Sequence, residues 1–257
     1  MPDADAVTHH YAHGTLLDAI REGIHASGKR IETIGVAGLG PVVEFHVGGR
    51  SATRSFLDQL VIESGHEVLD VGCGLGGASR FAASTYECRV TGVDLTAEYV
   101  SAGEELCKWV GLDEQIDLRV GDATALSVAD GQFDRAYMMH VGMNIADKSV
   151  LTRELYRVLK PGGRLGIYDV MRVGPGEIIY PVPWASTPAG SSVDSPQVYK
   201  VALEAAGFQL VAERNRRDFA LEFFAELRAK MQGTKGPQPL GLHIVMGSKA
   251  PVKDRKS

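Results

Sequence analysis

Residues 67–77 run Glu67-Val68-Leu69-Asp70-Val71-Gly72-Cys73-Gly74-Leu75-Gly76-Gly77, and this stretch decides the fold. Its apolar start predicts a buried strand, and its glycines predict a tight turn into a helix. Gly72, Gly74 and Gly77 match the G-x-G-x-x-G pattern, in which backbone N–H groups and a helix N-terminus approach a ligand. Three glycines alone are a weak signal, because a strand-to-helix turn without a ligand also accounts for them.

Asp70, at the end of the strand, favours one ligand over the others. Its carboxylate would repel the phosphates of a bound dinucleotide in a poorly hydrated cleft, which disfavours NAD. The same carboxylate suits an ammonium group, and S-adenosylmethionine carries an amino-acid end and no phosphate. We therefore predict S-adenosylmethionine as the cofactor, with an NAD-dependent oxidoreductase as a less favoured alternative.

Composition limits the class of protein. A chain of 257 residues with 44% hydrophobic and 23% charged residues fits one α/β domain, alone or with a small cap. The net charge of -5 argues against general nucleic-acid binding. No apolar run approaches the length of a membrane span. Cys73, Cys88 and Cys107 show neither metal-ligand nor disulfide spacing, which predicts a cytoplasmic location.

From Glu67 onward, short apolar runs alternate with helical patterns. This alternation predicts an α/β fold with a doubly wound parallel sheet, whose ligand lies at the carboxyl ends of the strands. The predicted strands cover residues 68–71, 89–94, 116–120, 133–139, 164–170, 208–213 and 242–246. The predicted helices between and after them cover residues 77–84, 97–110, 150–159, 196–206 and a segment around 219–227.

Two further amphipathic helices are predicted ahead of the sheet, one over 8–27 and one from Ser51, joined by a flexible linker over 35–41. We expect residues 1–64 to form cover helices over the cleft, residues 65–250 to form the sheet domain, and 251–257 to form a basic tail. The proline- and aromatic-rich stretch 170–195 predicts a lid or pocket insertion after the fifth strand. Residues 160–163, Lys-Pro-Gly-Gly, predict a turn before that strand.

Acidic residues at the ends of the second and third strands complete the predicted cofactor site. Asp94 can accept both ribose hydroxyls of an adenosine, with Leu95 packing on the adenine or ribose; a helix cap is the alternative. Asp122 suits the exocyclic amine of adenine, with the Ala123 N–H facing a ring nitrogen. A surface turn is the alternative for this pair.

Three residues are candidates for catalysis. His140, after the fourth strand, can orient the cofactor through its backbone or side chain, or take a proton from the substrate. His46 is either a pocket residue or a structural histidine. Tyr11 either places its hydroxyl near the sulfonium or is an ordinary helix residue. No cysteine or carboxylate set accompanies the histidines between residues 9 and 13, so we expect no metal.

Four residues are candidates for the substrate pocket. Asn144 is either a hydrogen-bonding group of the pocket or a local turn former. Tyr168, near the end of the fifth strand, can reach the substrate, and Tyr180 lies in the proline-rich insertion. Trp184 either forms an apolar or cation-accepting wall or pins the insertion to the core.

With these motifs in place, the chain resembles the class I S-adenosylmethionine-dependent methyltransferases over residues 61–170. Residues 68–74 are similar to their first motif, 92–94 to the acidic loop after it, and 159–163 to the motif before the fifth strand. The resemblance implies a Rossmann-like sheet of seven strands with the last strand antiparallel, and a methyltransferase domain over 65–250. It also implies cofactor contacts from Asp70, Gly72, Gly74, Asp94, Asp122 and Ala123.

Residues 76–81, 45–49 and 9–11 are similar to a bacterial small-molecule branch near the sarcosine/dimethylglycine N-methyltransferases and the ubiquinone/menaquinone C-methyltransferases. This likeness implies methyl transfer to a small molecule by in-line displacement, and leaves open whether the accepting atom is nitrogen, oxygen, sulfur or carbon. A non-catalytic S-adenosylmethionine-binding protein is the alternative. The oligomeric state is not specified by the sequence.

Overall fold

A seven-stranded sheet forms the centre of the computed structural model, which describes residues 16–43, 46–230 and 241–249. The strand order is β3-β2-β1-β4-β5-β7-β6, and β7 runs antiparallel to both β5 and β6 while the pairs among β1 to β5 are parallel. This confirms the predicted α/β class and the antiparallel last strand. The strands are β1 (Glu67–Val71), β2 (Arg89–Asp94), β3 (Ile116–Val120), β4 (Phe133–Met139), β5 (Leu159–Met171), β6 (Phe208–Asn215) and β7 (Gly241–Lys249).

Eight helices flank the sheet within the described residues. Three of them precede β1, and the others connect or follow the strands. They are α1 (Leu16–Ala26), α2 (Val36–Val43), α3 (Gly49–Leu57), α4 (Gly77–Tyr86), α5 (Ala97–Trp109), α6 (Lys148–Val158), α7 (Pro196–Ala206) and α8 (Arg217–Lys230).

The central strands are buried on both faces, which explains their continuous apolar runs. Val68 of β1 packs into one core with Phe56 of α3 and Phe81 of α4, whereas Leu69 and the residues of α6 pack into a second core on the opposite face. Successive side chains of a strand point to opposite faces, so a strand that is buried on both faces carries apolar residues at consecutive positions.

The prediction of a flexible linker over 35–41 is wrong for most of that segment, because helix α2 covers Val36–Val43. Leu39 is fully buried in a small core with Ile20 and Ile24 of α1 and Leu75 of the glycine-rich turn. Burial of one face outweighs the poor helix propensity of this glycine-containing segment.

The other helices and strands differ from the predictions mainly at their ends. Helix α3 begins at Gly49 instead of Ser51, after Gly48 in a left-handed conformation. Strand β5 begins at Leu159 and not at residue 164, so the predicted turn over 160–163 is an irregular section of the strand. There Gly162 has a φ of 81°, and the register with β4 shifts between Phe133 and Arg135.

The strand order reverses at β1, whose neighbours are β2 on one side and β4 on the other. The connections from β1 and from β4 leave toward opposite faces at such a position, which opens a crevice beyond the carboxyl ends. The glycine-rich turn after β1 and the segment after β4 therefore face each other there.

Candidate functional site

The turn after β1 depends on Gly72 for both its shape and its closeness to a neighbour. Gly72 has a φ of 70°, and a Cβ at this position would lie 2.1 Å from Cγ2 of Val141 in the segment after β4. The Gly72 N–H donates to the Val93 carbonyl at 2.7 Å, which ties the turn to β2. Only glycine combines a positive φ with so close an approach.

Asp94 at the end of β2 holds the same turn by its side chain. One carboxylate oxygen accepts the Gly74 N–H at 2.8 Å, and the other accepts the Thr96 N–H at 2.9 Å. Burial raises the pKa of Asp94, and these two backbone hydrogen bonds oppose that rise. The Thr96 side chain also hydrogen-bonds the carboxylate, and because a carboxylate has about four acceptor sites, capacity remains for a ribose hydroxyl. The cap geometry and the predicted ribose contact are therefore compatible.

The Asp70 carboxylate lies beneath the turn and not at its surface. Asp70 is 2% exposed, and its Oδ2 accepts the Ser79 hydroxyl at 2.6 Å and the Tyr137 hydroxyl at 3.0 Å. Burial raises the pKa of Asp70 to about 7, against the effect of both hydroxyl groups. Its contact with a ligand ammonium group stays a prediction, and the observed role of the carboxylate is to join β1, β4 and α4.

The remaining predicted cofactor residues lie at the same edge of the sheet. Leu95 and Ala123 are half-buried, whereas Asp122 is exposed. Asp122 Oδ1 accepts both the N–H and the hydroxyl of Thr124 at 2.7 Å, which is the turn geometry that was the alternative to an adenine contact. Its second oxygen has no partner among the described residues, so the adenine contact stays a prediction.

The structure brings the two candidate histidines together. The ring centroids of His46, before α3, and His140, after β4, are 6.2 Å apart. Nε2 of His46 lies 2.8 Å from the Thr53 hydroxyl and 3.0 Å from the Gly49 carbonyl, whereas the buried Nε2 of His140 has no partner among the described residues. Such an orphaned ring nitrogen is unusual and marks a place where a ligand group can bind.

Burial favours the neutral form of both histidines. Burial, with a smaller contribution from His46, lowers the pKa of His140 to about 3, and burial also lowers the pKa of His46. His140 has a φ of 58°, which is uncommon for a residue with a side chain. Its backbone N–H donates to the Tyr168 carbonyl at 2.8 Å. Strain of this kind clusters at functional sites.

Tyr168 of β5 forms a wall beside this pair and is 1% exposed. Its ring meets the His140 ring edge-on at 5.2 Å, and its hydroxyl donates to the Val47 carbonyl at 3.2 Å. Burial raises the pKa of Tyr168. Tyr168 therefore contacts His140, while its hydroxyl holds the segment before α3; its contact with a substrate stays a prediction.

Asn144 and Trp184 hold the insertion after β5 in place. The Asn144 amide donates to the carbonyls of Trp184 and Gly190, at 2.9 and 2.6 Å, so it holds the insertion, and its contact with a substrate stays a prediction. Trp184 is 6% exposed and donates from Nε1 to the Ser191 hydroxyl at 3.1 Å, which favours the pinning role over a pocket wall. Tyr180 is half-buried and packs against the larger core.

Three further predictions concern Tyr11, a metal site and a membrane span. Tyr11 and the histidines between residues 9 and 13 lie outside the described residues. Within the part of the chain that is described, no cluster of three or more His, Cys, Asp or Glu side chains could hold a metal ion. No described helix combines the length and apolar character needed to cross a bilayer.

Sequence reasoning missed Ser79 and Tyr137 as the partners of Asp70. Tyr137 stands opposite Asp70 in the β1–β4 register, so the strand order of a doubly wound sheet was the signal that could have found it.

Comparison with known proteins identifies the domain. Residues 69–167 match the family model of a methyltransferase domain. The chain is 34% identical over 171 residues to phosphoethanolamine N-methyltransferase 1 of Triticum aestivum, a match that covers 66% of this chain and 34% of that protein. The chain thus spans about a third of the length of this curated relative.

Solved structures share the fold at lower identity. The [4+2]-cyclase SpnF superposes with a TM-score of 0.74 at 22% identity and 97% coverage of both chains. The geranyl diphosphate C-methyltransferase of Streptomyces coelicolor A3(2), solved with S-adenosyl-L-homocysteine, gives a TM-score of 0.73 at 17% identity and covers 97% of this chain and 99% of that one. The resemblance predicted from the motifs is confirmed, and the chain carries a methyltransferase domain.

Proposed function

Because residues 69–167 form a methyltransferase domain, we propose that the protein transfers the methyl group of S-adenosylmethionine to a small-molecule acceptor. One observation carries this proposal most strongly. The glycine-rich turn at the switch point of the sheet is tied to Asp94 through the Gly74 N–H, and the Asp94 carboxylate keeps acceptor capacity for a ribose hydroxyl.

The cofactor would lie across the turn, with its adenosine toward Asp94 and Leu95 and its methionine end toward Gly72. S-adenosylmethionine supplies an electrophilic methyl group on a sulfonium. The protein contributes by holding that methyl group and the acceptor close and collinear in a pocket from which water is excluded.

The histidine pair supplies the polar groups on the acceptor side of the site. His140 is neutral, and its unpartnered Nε2 can accept a hydrogen bond from an O–H or N–H group of the acceptor. A pKa of about 3 makes it a weak base. The proton of the acceptor becomes more acidic as the methyl group arrives, because positive charge develops on the attacking atom. His140 can then take the proton late in the reaction, and His46 beside it is the second candidate.

Cytoplasmic location and the lack of nucleic-acid partners stay part of this proposal. All three cysteines are free and buried, as suits a reducing compartment, and the net charge of -5 disfavours a polyanion.

A transfer assay tests the proposed function directly. The protein is incubated with S-adenosylmethionine carrying a tritiated methyl group and with a panel of amines, phenols, hydroquinones, thiols and carboxylates. Transfer of label to one acceptor class, with release of S-adenosylhomocysteine, is the expected result. Tight cofactor binding without transfer to any class would contradict catalysis and favour the non-catalytic alternative. Failure to bind the cofactor would overturn the proposal as a whole.

A further inference from the structure

Arg216 is a cation near the acceptor side of the site without an ionic partner among the described residues. It lies between the end of β6 and α8, and its buried Nε atom has no hydrogen-bond partner there. Its guanidinium stacks on the ring of Phe219 at 4.3 Å. Stacking leaves the N–H edge of a guanidinium available, and an oxyanion is the group that this edge binds best.

A chain of contacts joins Arg216 to the histidine pair. The Phe219 ring lies against Gly48, where an added Cβ would come within 2.6 Å of it. Gly48 follows Val47, whose carbonyl accepts the Tyr168 hydroxyl. The charge of Arg216 also reaches Tyr168, where it opposes the rise in the pKa of the phenol caused by burial. Tyr168 therefore interacts with both groups: its ring contacts the His140 ring, and its phenol lies within the electrostatic influence of Arg216.

Two of the buried polar atoms that lack a hydrogen-bond partner among the described residues belong to His140 and Arg216, and they differ in charge. Nε2 of His140 belongs to a neutral ring, and Nε of Arg216 belongs to a permanent cation. A buried polar atom without a partner costs free energy, so each is expected to gain a partner when a ligand binds. One molecule that satisfies both carries an anionic group at one end and a proton-bearing nucleophile at the other.

We propose that the methyl acceptor is an organic oxyanion, with its carboxylate or phosphate group held by Arg216 and its nucleophilic atom placed against His140. This inference rests on the proposed function, because it concerns the acceptor half of the same site. It narrows the acceptor from any small molecule to an anionic one, and it makes Arg216 a residue that determines specificity.

The test titrates inorganic phosphate and, separately, acetate into the full chain saturated with S-adenosylhomocysteine. The same titrations follow for Arg216→Gln, Arg216→Lys and Arg217→Gln. Arg217 is the matched control, since it is the adjacent arginine, lies on the surface and contacts only Asp218 as an ion pair in the described chain. Thermal unfolding of each variant checks that it is folded.

We expect the wild type to bind at least one anion, and Arg216→Gln to bind it about tenfold to a hundredfold more weakly, because a charge-assisted hydrogen bond is lost. Arg216→Lys should retain most of the affinity, and Arg217→Gln should match the wild type. The preferred anion then distinguishes phosphate from carboxylate acceptors. If Arg216→Gln is unfolded, Arg216→Lys decides through the ratio of its phosphate affinity to its acetate affinity. A lysine ammonium lacks the paired N–H groups of a guanidinium, so this ratio should differ from that of the wild type, and an unchanged ratio would overturn the inference.

Two results would overturn the inference while leaving the methyltransferase assignment intact. One is S-adenosylhomocysteine binding with no anion bound by the wild type, and the other is equal anion affinity in the wild type and every Arg216 variant. Failure of the wild type to bind S-adenosylhomocysteine would instead contradict the proposed function.

Discussion

The two halves of the site are built in different ways. On the cofactor side, Gly72, Gly74 and Asp94 lie within 23 consecutive residues, and backbone N–H groups make most of the contacts. On the acceptor side, His46, His140 and other side chains come from segments far apart in the chain. The first half can therefore be recognised from sequence spacing, whereas the second exists only after folding. Mutations can test whether the two halves are separable.

Substitution of His140 should give the largest effect on catalysis. His140→Asn keeps a residue type that tolerates a positive φ but removes the orphaned ring nitrogen. We expect turnover with the acceptor found by the panel to fall by about 10²- to 10⁴-fold, the usual contribution of a group that transfers a proton. Affinity for S-adenosylhomocysteine should change less than about threefold, because the proposed function has the His140 ring contact the methyl acceptor and not the cofactor.

His66→Asn is the matched control for this prediction, because His66 lies outside the site, where its ring accepts the Glu63 N–H. Equal turnover of the His140 variant and the wild type would show that the ring has no part in the reaction.

Substitution at the turn should give the largest effect on stability. A Cβ at Gly72 would overlap Val141 at 2.1 Å and sit at a positive φ, so Gly72→Ala is expected to lower the free energy of unfolding by about 3 kcal/mol. Gly74 also has a positive φ, but a Cβ there would meet its nearest neighbour only at 3.8 Å. Gly74→Ala should thus lower the free energy of unfolding by only about 1 kcal/mol. Urea unfolding of both variants provides the comparison, and equal costs would contradict the close packing of the two halves at Val141.

The buried Asp70 predicts a pH dependence of stability. Its folded pKa of about 7 exceeds the ordinary value of 3.8, so between these values the folded chain holds a proton that the unfolded chain has lost. Stability from this group is present at low pH and is lost as pH rises to about 7. Relative to Asp70→Asn, which does not titrate at this position, the wild type should lose about 2.5 kcal/mol of unfolding free energy between pH 5 and pH 8.

Denaturant unfolding of the cofactor-free wild type and Asp70→Asn, at several pH values, measures this difference. Asp169, whose pKa burial raises to about 6, titrates in both proteins and cancels. If the difference in unfolding free energy between the two proteins stayed constant from pH 5 to pH 8, the raised pKa of Asp70 would be contradicted.

The smallest effect should come from the insertion after β5. Asn144→Ala removes two hydrogen bonds to the carbonyls of Trp184 and Gly190 and should destabilise the protein by about 1–2 kcal/mol. Limited proteolysis should then cut the insertion faster than in the wild type. The control is Gln132→Ala, whose side chain accepts a single exposed bond from Ala129. Unchanged cleavage would mean that the other contacts of the insertion, such as those of Lys148 with Ser192 and Asp194, hold it without Asn144.

The fold was predictable where the pattern was local. The bounds of β2, β3, β4 and α7 agree with the predicted ones, because apolar runs and flanking turn residues lie side by side in the sequence. Helix α2 was missed because the burial of Leu39 against α1 is a tertiary effect. The regular alternation of strands and helices gave the sheet, and the family resemblance supplied its antiparallel strand.

The site was predictable only in part, for the same reason. Spacing placed Gly72, Gly74 and Asp94 at one edge of the sheet. It could not show that Tyr137 and Ser79 enclose the Asp70 carboxylate, nor that His46 lies beside His140. Pairings across the sheet and over the helices depend on packing that no short segment of sequence specifies.

The central claim is that S-adenosylmethionine binds over the turn that Asp94 holds, and isothermal titration of this cofactor tests it most directly. Asp94→Asn should bind at least tenfold more weakly than the wild type, because a charged acceptor of the ribose hydroxyls is lost. Asp117→Asn, which removes an exposed carboxylate from the neighbouring strand β3, should bind as the wild type does. Equal affinity of the wild type and Asp94→Asn, or no binding to either, would contradict the account.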